Sequence, residues 1–371
     1  MKFSCERVLL QNAVTVASRA AAVKSAIASL EGILIEADTE LIISAYDLKT
    51  GIRTSVPADV QENGSVIINA RLLGDIIRKL SDDVVTIATD GGMMTRISCG
   101  LSEFNILGMS SEDYPELPSD DYKNSLFLPQ KTLKAMISQT NFAVSDNEAR
   151  PIHTGSLFEA ENGVLTVVSV DGYRLALRKE KIDETDIENC SFVVPGTALA
   201  EVEKIAGDSE DPVKITLGTR HIMFSIDQTV LISRRLEGEF LNYRNAVPKT
   251  NKYRITADKK QLIDAVDRVS LIISEKLKSP VRCVFGDGVL KISAVTPLGK
   301  ATDECEIKGN GEDLEIGFNN KYLLDALKAV PADTVAIQLA SGVSPCVIVP
   351  ADESSNFLYM ILPVRLKANE S

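Results

Sequence analysis

The stretch "FSCERVLLQNAVTVAS", residues 3–18, introduces a pattern that returns as "FLPQKTLKAMISQTNF" at residues 127–142 and as "TADKKQLIDAVDRVSL" at residues 256–271. Each copy begins like a short strand, continues with a polar or acidic residue suited to a helix cap, and then carries apolar residues at helical spacing. The residues that occupy one shared position in the three copies are Leu9, Leu133 and Leu262. Internal repeats of this kind govern an architecture, so we expect repeated strand-helix units.

A second pattern follows each copy of the first: "SVIINARLLGDIIRKL" at residues 65–80, "SFVVPGTALAEVEKIA" at residues 191–206 and "LEIGFNNKYLLDALKAV" at residues 314–330. In each, an apolar strand passes through Asn or Pro into a helix. The aligned leucines are Leu73, Leu199 and Leu323. Together the two patterns predict helices over residues 6–24, 70–81, 130–140, 196–207, 258–268 and 319–330.

Stretches of alternating apolar and polar residues follow the predicted helices, which is typical of antiparallel strands. Asn162-Gly163 and Asp287-Gly288 separate such stretches, and these dipeptides are strong signals of tight hairpin turns. Polar connections that contain proline fall near residues 113–125 and 243–252. We therefore predict an α+β fold with three repeated domains, over residues 1–120, 125–248 and 250–371. Repeats with open edges favour head-to-tail stacking, for which a closed ring is the soluble outcome.

The composition is that of an ordinary globular protein, because 44% of the 371 residues are apolar and 25% are charged. No apolar run approaches the roughly 20 residues of a membrane span, and charges interrupt the first residues, so we expect a cytoplasmic protein. The six cysteines form no C-x-x-C pair, the two histidines are His153 and His221, and no glycine-rich phosphate loop occurs. We therefore expect reduced structural thiols, no metal site and no cofactor.

The net charge of −12 argues against a simple basic DNA-binding module, because sequence-independent affinity for nucleic acid comes from Lys and Arg. The six predicted helices, however, carry 14 basic and 8 acidic side chains, so the excess negative charge lies outside them. A basic inner wall with an acidic exterior would suit a ring threaded by a polyanion.

The sequence "DGYR", Asp171–Arg174, allows two interpretations. An enzyme or small-ligand binder could use Asp171, Tyr173 and Arg174 for acid-base chemistry or phosphate binding. Asp-Gly is also a turn signal, and the equivalent positions of the other repeats, "AYDLKTGIRT" and "AVTPLGKATD", share turn chemistry but no common set of acids and bases. The repeats favour the turn, and the enzyme stays as the alternative.

Five segments resemble the bacterial sliding clamps, the β subunits of DNA polymerase III. They are "VDGYRLA" from Val170, "EGEFLNYRNAVPK" from Glu237, "LIISEKLKSPVR" from Leu271, "LEIGFNNKYLLDALKAV" from Leu314 and "YMILPVRL" from Tyr359. The resemblance spans essentially the whole chain. It implies a non-catalytic homodimer of two chains joined head to tail, with three clamp domains per chain, helices lining a hole and sheets outside.

Such a ring would encircle duplex DNA without sequence preference and tether the replicative polymerase. Twelve helices at roughly 9 Å spacing enclose a hole of roughly 24 Å, which admits a B-form duplex about 20 Å across. The partners implied by the resemblance are the catalytic subunit of DNA polymerase III, a clamp loader, and other polymerases and repair proteins that carry short peptide motifs.

The resemblance also implies a hydrophobic peptide-binding cleft between the second and third domains. Its residues would be His153, Val170, Gly172, Tyr173, Arg174, Leu175, Leu241, Ala246, Val247, Asn319, Tyr322, Val343, Met360, Leu362, Pro363, Val364, Arg365 and Leu366. Two of them depart from the family pattern, because an aliphatic residue is usual at His153 and proline is frequent at Leu241.

Two further sets of residues follow from the resemblance. The DNA-facing residues would be Lys24, Arg71, Asn147 and Lys204. The residues of the head-to-tail joint would be Arg96, Glu103, Phe104, Ile106, Leu271, Ile272, Lys300, Asp303 and Glu304. Across the joint, Arg96 would face Asp303 or Glu304. Glu103 and Lys300 carry charges opposite to those that the family tends to have.

Overall fold

The computed structural model describes residues 1–118, 124–182, 189–274, 279–352 and 356–366. Its helices are α1 (Arg7–Ala17), α2 (Ala70–Lys79), α3 (Gln130–Ser138), α4 (Gly196–Ile205), α5 (Tyr243–Ala246), α6 (Lys259–Ser270) and α7 (Asn320–Ala329). Its strands are β1 (Lys2–Glu6), β2 (Gly32–Ala37), β3 (Leu41–Tyr46), β4 (Thr50–Val56), β5 (Asp59–Glu62), β6 (Gly64–Asn69), β7 (Val84–Thr89), β8 (Met94–Cys99), β9 (Ser102–Leu107), β10 (Asn124–Pro129), β11 (Gly155–Glu161), β12 (Val164–Val170), β13 (Arg174–Lys181), β14 (Asn189–Pro195), β15 (Pro212–Leu217), β16 (His221–Ile226), β17 (Thr229–Arg234), β18 (Tyr253–Asp258), β19 (Val281–Thr296), β20 (Gly299–Phe318), β21 (Thr334–Leu339), β22 (Cys346–Pro350) and β23 (Phe357–Ile361).

Parts of several segments predicted from the sequence lie outside the described residues. They are residues 119–123 of the first predicted connection, 183–188 of the second predicted domain, 275–278 of the segment from Leu271, and 353–355 and 367–371 of the third predicted domain. Elsewhere helices alternate with antiparallel sheets, which confirms the predicted α+β class.

A buried leucine is the fourth residue of α1, α2, α3, α4, α6 and α7, the observed helices that correspond to the six predicted ones. These leucines are Leu10, Leu73, Leu133, Leu199, Leu262 and Leu323. The sequence alignment was therefore wrong by one residue at Leu9, whose side chain is 39% exposed. Because α1 begins at Arg7, its fourth position falls on Leu10, which is fully buried. With this correction all six units share one anchor between helix and sheet.

The ends of the helices follow local capping chemistry. The side-chain oxygens of Asn69, Asp258 and Asn319 each accept a backbone N–H from the first turn of the helix that follows, as Asn and Asp caps do. The first helix is shorter than predicted. It ends at Ala17, a single 3-10 turn follows, and the Ser18 hydroxyl donates to the Val14 carbonyl at 2.5 Å. The predicted helical residues up to 24 therefore lie in a loop.

The described chain forms two compact units, of which the first comprises residues 1–134 and 200–235. It contains a five-stranded sheet in the order β5-β1-β7-β8-β9 and an eight-stranded sheet in the order β10-β15-β16-β17-β4-β3-β2-β6. The eight-stranded sheet joins strands from two repeats through the pairing of β17 with β4. In the five-stranded sheet, β9 is an edge strand.

The second unit comprises residues 135–182, 189–199 and 236–366 of the described chain. It contains a ten-stranded sheet in the order β14-β11-β12-β13-β23-β22-β21-β18-β20-β19, which joins two repeats through β13 and β23. Side chains alternate between the two faces of a sheet. On one face, Ala176, Tyr359 and Ile348 enter a large core together with Leu262 of α6 and Leu327 of α7. The other face carries the site described below.

Both predicted hairpin turns are confirmed by backbone geometry. Asn162 and Gly163 have φ values of +52° and +72°, as a two-residue hairpin with a primed turn requires. At Gly288 φ is +71°, and a Cβ on Gly286 would lie 3.4 Å from the Val289 carbonyl oxygen. Residues three apart in an extended strand are separated by about 10 Å, so the chain reverses here within the range of β19.

The cysteine thiols are withdrawn from solvent. Cys5, Cys99, Cys283, Cys305 and Cys346 are buried and Cys190 is half-buried, and none of the six forms a disulfide. Burial raises the pKa of the Cys5 and Cys305 thiols to about 11 and that of Cys346 to about 12, because the thiolate loses its hydration. These groups are structural. In the described part of the chain, no helix is both long and apolar enough for a membrane crossing.

Candidate functional site

An apolar row of side chains crosses the outer face of the ten-stranded sheet, opposite the large core. Strand register pairs Val170 with Leu175, Leu175 with Met360, and Met360 with Val347. The neighbouring row contains Leu157, Val168, Leu177 and Leu358. The first row is at most 7% exposed, and both rows contribute to one hydrophobic cluster. We call this surface the cleft face.

The segment of residues 236–247 covers the cleft face. Phe240, Tyr243 and Ala246 pack against the apolar cluster, and α5 provides one turn of helix. The Tyr243 hydroxyl donates to Glu159 Oε2 on β11 at 2.7 Å. Burial and this carboxylate both oppose loss of the phenolic proton, so they raise the pKa of Tyr243. The cover is thus a short segment, held to β11 by Tyr243 and by Arg244, whose guanidinium contacts Glu159 and Glu161.

The C-terminal segment after β23 forms another wall of the site. The backbone N–H of Leu362 donates to the Tyr173 carbonyl at 2.8 Å, and that of Val364 donates to the Gly317 carbonyl at 2.8 Å. A Cβ on Gly317 would lie 2.6 Å from the Val364 carbonyl oxygen, so this close approach requires glycine. Leu362 packs against the apolar cluster while remaining partly exposed.

The carboxylate of Asp171 stabilises the turn before β13. Asp171 Oδ1 accepts the backbone N–H groups of Tyr173 and Arg174 at 2.9 and 3.0 Å. Asp171 Oδ2 accepts from Arg174 Nε at 2.8 Å, while Arg174 Nη1 donates to Asp325 Oδ2 at 2.7 Å. Gly172 adopts φ +92°, which glycine tolerates without strain. This geometry confirms the predicted turn, since the Asp171 carboxylate is occupied by the turn and by the Arg174 ion pair.

An aromatic platform stands beside this turn. Tyr173 is 63% exposed and stacks on Tyr322, with ring centres 6.3 Å apart. The guanidinium carbon of Arg174 lies 4.4 Å from the centre of the Tyr322 ring, a cation–π contact. Burial and then Asp171 raise the pKa of Tyr322. Together with Asn319, these side chains line a cavity of about 770 Å³. The cavity therefore offers π faces and polar groups to a ligand.

Asn319 and His153 have local partners of their own. Asn319 Oδ1 accepts the backbone N–H of Tyr322 at 3.2 Å as the cap of α7, which leaves its amide N–H groups for a ligand. His153 lies edge-on to Phe240, with ring centres 5.6 Å apart. Burial lowers the pKa of His153, and the charge of Arg150 lowers it further. His153 is therefore biased towards its neutral form.

The structure brings most of the predicted cleft residues together. The apolar cluster contains Val170, Leu175, Ala246, Met360 and Leu362, the platform contains Tyr173, Arg174, Asn319 and Tyr322, and Gly172, Pro363, Val364, Arg365 and Leu366 belong to the adjoining turn and C-terminal segment. Leu241 and Val343 are 44% and 81% exposed, and neither belongs to the cluster. Sequence reasoning missed Leu177, Tyr243 and Val347, although the period of two along β13 and β22 could have indicated Leu177 and Val347.

The predicted DNA-facing residues are all exposed. Lys24 lies in the loop after the first helix. The side chain of Arg71 is 93% exposed, with Asp75 Oδ2 4.0 Å from its Nε. Lys204 Nζ lies 2.7 Å from Glu201 Oε1, and this ion pair partly neutralises the charge of Lys204. Asn147 forms a local turn, in which its side-chain oxygen accepts the N–H of Ala149.

The predicted joint residues of the first unit lie on its edge strand and the strand beside it. On β9, Phe104 is 37% exposed and Ile106 half-buried, and Leu107, which sequence reasoning missed, is 71% exposed. Arg96 Nε lies 3.3 Å from Glu103 Oε1. The edge of β9 therefore combines apolar side chains with unpaired backbone groups.

The predicted joint residues of the second unit lie at the end of α6 and on β20. Leu271 is 84% exposed and Ile272 is half-buried. Asp303 Oδ2 accepts from Arg268 Nε at 2.5 Å, and this hydrogen bond lowers the pKa of Asp303. Lys300 and Glu304 are exposed. Within one chain, then, Asp303 pairs with Arg268 and Arg96 pairs with Glu103, rather than with each other.

Comparison with known proteins gives one consistent result. Family models for the N-terminal, central and C-terminal domains of the DNA polymerase III β subunit match residues 1–118, 127–242 and 244–365. The β sliding clamp of Halalkalibacterium halodurans is 33% identical over 379 residues, covering 98% of this chain and all of the relative.

Solved structures agree with the family models. A putative DNA polymerase III β subunit from Eubacterium rectale is 34% identical and superimposes with a TM-score of 0.92, covering 98% of this chain and 99% of that one. A sliding clamp from Pseudomonas aeruginosa, bound to griselimycin, is 26% identical with a TM-score of 0.93 and covers 99% of this chain and all of its own.

Proposed function

Because the chain belongs to the family of β sliding clamps, the non-catalytic processivity subunits of DNA polymerase III, we propose that two copies join head to tail into a ring around duplex DNA. In this proposal the domains span residues 1–120, 125–248 and 250–371. The ring acts in the cytoplasm and raises the effective concentration of the polymerase at the DNA it holds.

The observation that carries the partner-binding part of the proposal is the cleft face. Among the described residues, its apolar rows are covered by Ile152, by residues 236–247 and by the C-terminal segment, and exposed Tyr173 stands at its margin. An extended peptide would place apolar anchors against Leu362 and Met360 and polar groups near Arg174. The partners would be short segments of the polymerase III catalytic subunit, the clamp loader, other polymerases and repair proteins.

The inner wall in this proposal is formed by the six predicted helices, whose charge is net basic. Arg71 and Lys24 would contact phosphates, with Asn147 and Lys204 nearby. The contacts would be loose and sensitive to salt, since each phosphate contact releases counterions. Replacing Arg71 with Ala should lower the slope of log affinity against log salt by about one, whereas the exposed strand residue Lys214, replaced in the same way, should leave the slope unchanged.

The joint would extend one sheet across two chains. The open edge of β9 would pair with residues 299–306 of the partner's β20, which pair with β19 on one side but not with β18 on the other. Phe104, Ile106, Leu271 and Ile272 would be buried between the two chains. The ion pairs of Arg96 and Asp303 within the chain would then exchange partners. Such rim pairs contribute little energy and chiefly set orientation.

A pair of variants separates assembly from partner binding. Leu271 and Val343 are exposed apolar residues, so Leu271→Asp and Val343→Asp should both fold. We expect Leu271→Asp to give a monomer that still binds peptide, and Val343→Asp to give a dimer with weaker peptide binding. Solution mass and fluorescence anisotropy measure the two properties. A wild-type protein with the mass of one chain would contradict the ring.

The DNA-holding mode is tested by topology. The ring, loaded onto a nicked circular duplex, should be retained at high salt and should be lost when a nuclease linearises the circle. Equal retention on circular and linear duplexes would contradict encirclement.

Griselimycin, found on the Pseudomonas aeruginosa clamp, should bind this cleft, raise the melting temperature of the protein, and compete with a labelled partner peptide.

A further inference from the structure

A second groove, of about 1000 Å³, opens on the second unit. Its apolar lining includes Leu177, Val247, Val349 and Leu358, and Thr166 lies among them. Val247, Val349 and Leu358 remain partly exposed, so the described residues leave this surface partly open. We call it the distal groove.

The distal groove begins at the second apolar row of the cleft face, the row of Leu177 and Leu358. Leu177 lies on the same face as Leu175, two residues further along β13, and its register partner Leu358 lies two residues before Met360 on β23. Two residues of a strand span about 6.7 Å, so the floor of the groove begins one row beyond the apolar row of the cleft. Leu177 and Tyr243 contribute to the apolar cluster and also line the groove.

The charges around the distal groove do not balance. Among its described lining residues, Arg244 is neutralised by Glu161, at 3.2 Å, and by Glu159. Lys179 is exposed on β13 beside Thr166, and none of the described carboxylates forms an ion pair with it. Arg254 donates to the carbonyls of Pro350 and Ala351, at 3.3 and 3.2 Å, and these acceptors carry no formal charge.

We propose that the distal groove binds the continuation of a partner peptide, an acidic and apolar segment in extended conformation. Apolar side chains of this segment face Leu177 and Leu358, and its acidic side chains face Lys179 and Arg254. The distance from Leu362 to Leu358 along β23 is about 13 Å, so the continuation needs about four residues beyond the last cleft anchor. The inference rests on the proposed peptide-binding function of the cleft.

The test compares a short and a long peptide on the full-length wild-type protein. A fluorescein-labelled pentapeptide with Leu and Phe anchors reports on the cleft alone. The same peptide lengthened by Glu-Leu-Glu-Val, at one end or at the other, reports on the groove as well. We expect one lengthened peptide to bind about tenfold more tightly than the short peptide, because a charge-assisted contact adds to the apolar burial.

Charge reversal at the rim identifies where the gain arises. Lys179→Glu should abolish the gain of the longer peptide and leave the affinity of the short one unchanged, whereas Lys214→Glu, the same charge change on an exposed strand residue outside the groove, should preserve both. Replacing Glu with Gln in the extension should remove most of the gain.

The possible outcomes separate the two proposals. If the short peptide binds but neither extension improves its affinity, or if the gain survives Lys179→Glu, the distal groove is overturned while the cleft stands. If the short peptide does not bind the wild-type protein, the cleft itself is wrong and the groove falls with it.

Discussion

Neighbouring residues of the same strands serve opposite faces of the ten-stranded sheet. On β13, Leu175 faces the cleft and Ala176 faces the large core, and on β23 Met360 and Tyr359 divide in the same way. The core side is closed by α6 and α7, whereas the cleft side is closed by residues 236–247 and the C-terminal segment. Both faces are apolar, but helices cover one and short segments cover the other.

Because the covers differ, alternate residues of one strand contribute either to stability or to binding. A face sealed by helices can only contribute to stability, because nothing can enter it without displacing a helix. A face covered by a short segment retains partly exposed apolar side chains, such as Leu362 and Leu358, which a peptide can bury. Substitutions one residue apart should therefore have different primary effects.

The largest effect is expected on the core side. Tyr359 is fully buried, stacks on Phe357, meets Phe142 edge-on and donates to the Ala329 carbonyl at 3.1 Å. Tyr359→Ala should lower the free energy of unfolding by about 3–5 kcal/mol, measured by chemical denaturation. The control Tyr359→Phe loses only one hydrogen bond and should cost about 1 kcal/mol. Equal losses for the two variants would contradict the proposed role of the ring.

The next effect belongs to the cleft side. Met360→Ala combined with Leu362→Ala should weaken peptide binding at least 30-fold, about 2 kcal/mol, since two adjacent apolar anchors are lost. The protein should still fold and form dimers, as determined by solution mass and circular dichroism. Unchanged peptide affinity in this variant would show that the partner binds elsewhere.

A smaller effect concerns the cover of the cleft face. Tyr243→Phe removes the hydrogen bond to Glu159 while keeping the ring in the apolar cluster. Unfolding free energy should fall by about 1 kcal/mol, and hydrogen exchange should quicken in residues 236–247 more than in the large core. A uniform change in exchange across the second unit would argue against a separately held cover.

The smallest effect is a pH dependence that only the cleft side should show. Burial lowers the pKa of His153, so the folded protein favours neutral imidazole and loses stability as pH falls from 6.5 towards the lowered value. A bound peptide that buries His153 further should favour the neutral imidazole still more strongly. We expect peptide affinity to fall roughly two- to threefold between pH 7.5 and 5.5, as measured by anisotropy.

The variant His153→Leu provides the control for this pH effect. It removes the titrating group at the edge of Phe240 and should flatten the profile. A dependence that persists in His153→Leu would assign the titration to another group.

Repeat spacing predicted the fold well because helix starts leave local marks. The Asn and Asp caps and the leucine at the fourth helical position are set by neighbouring residues. The exception is the first helix, where Leu9 was aligned with the buried leucines instead of Leu10. Glu6 precedes α1 without forming a side-chain cap, so nothing in the sequence marked the first residue of this helix. The early end of α1 was missed for a similar reason, since Ala and Ser beyond residue 17 are compatible with a helix.

The site was harder to predict because its parts are distant in the sequence. Leu175 and Met360 become neighbours only through the pairing of β13 with β23, which no local pattern indicates. Resemblance supplied that link. It did not indicate that Asp325 would bind Arg174, because that contact depends on how α7 sits beside β13.

The withdrawn thiols have a practical consequence for spectroscopy. Five of the six cysteines are buried, and the raised pKa values keep several of them protonated near neutral pH, so maleimide dyes should react slowly with the folded protein. With Cys190 changed to Ser, the substitution Arg365→Cys would place a single fluorophore at an exposed position, one residue beyond the backbone contact of Val364 with Gly317. Its emission would report peptide binding in real time, because the buried cysteines would carry little dye.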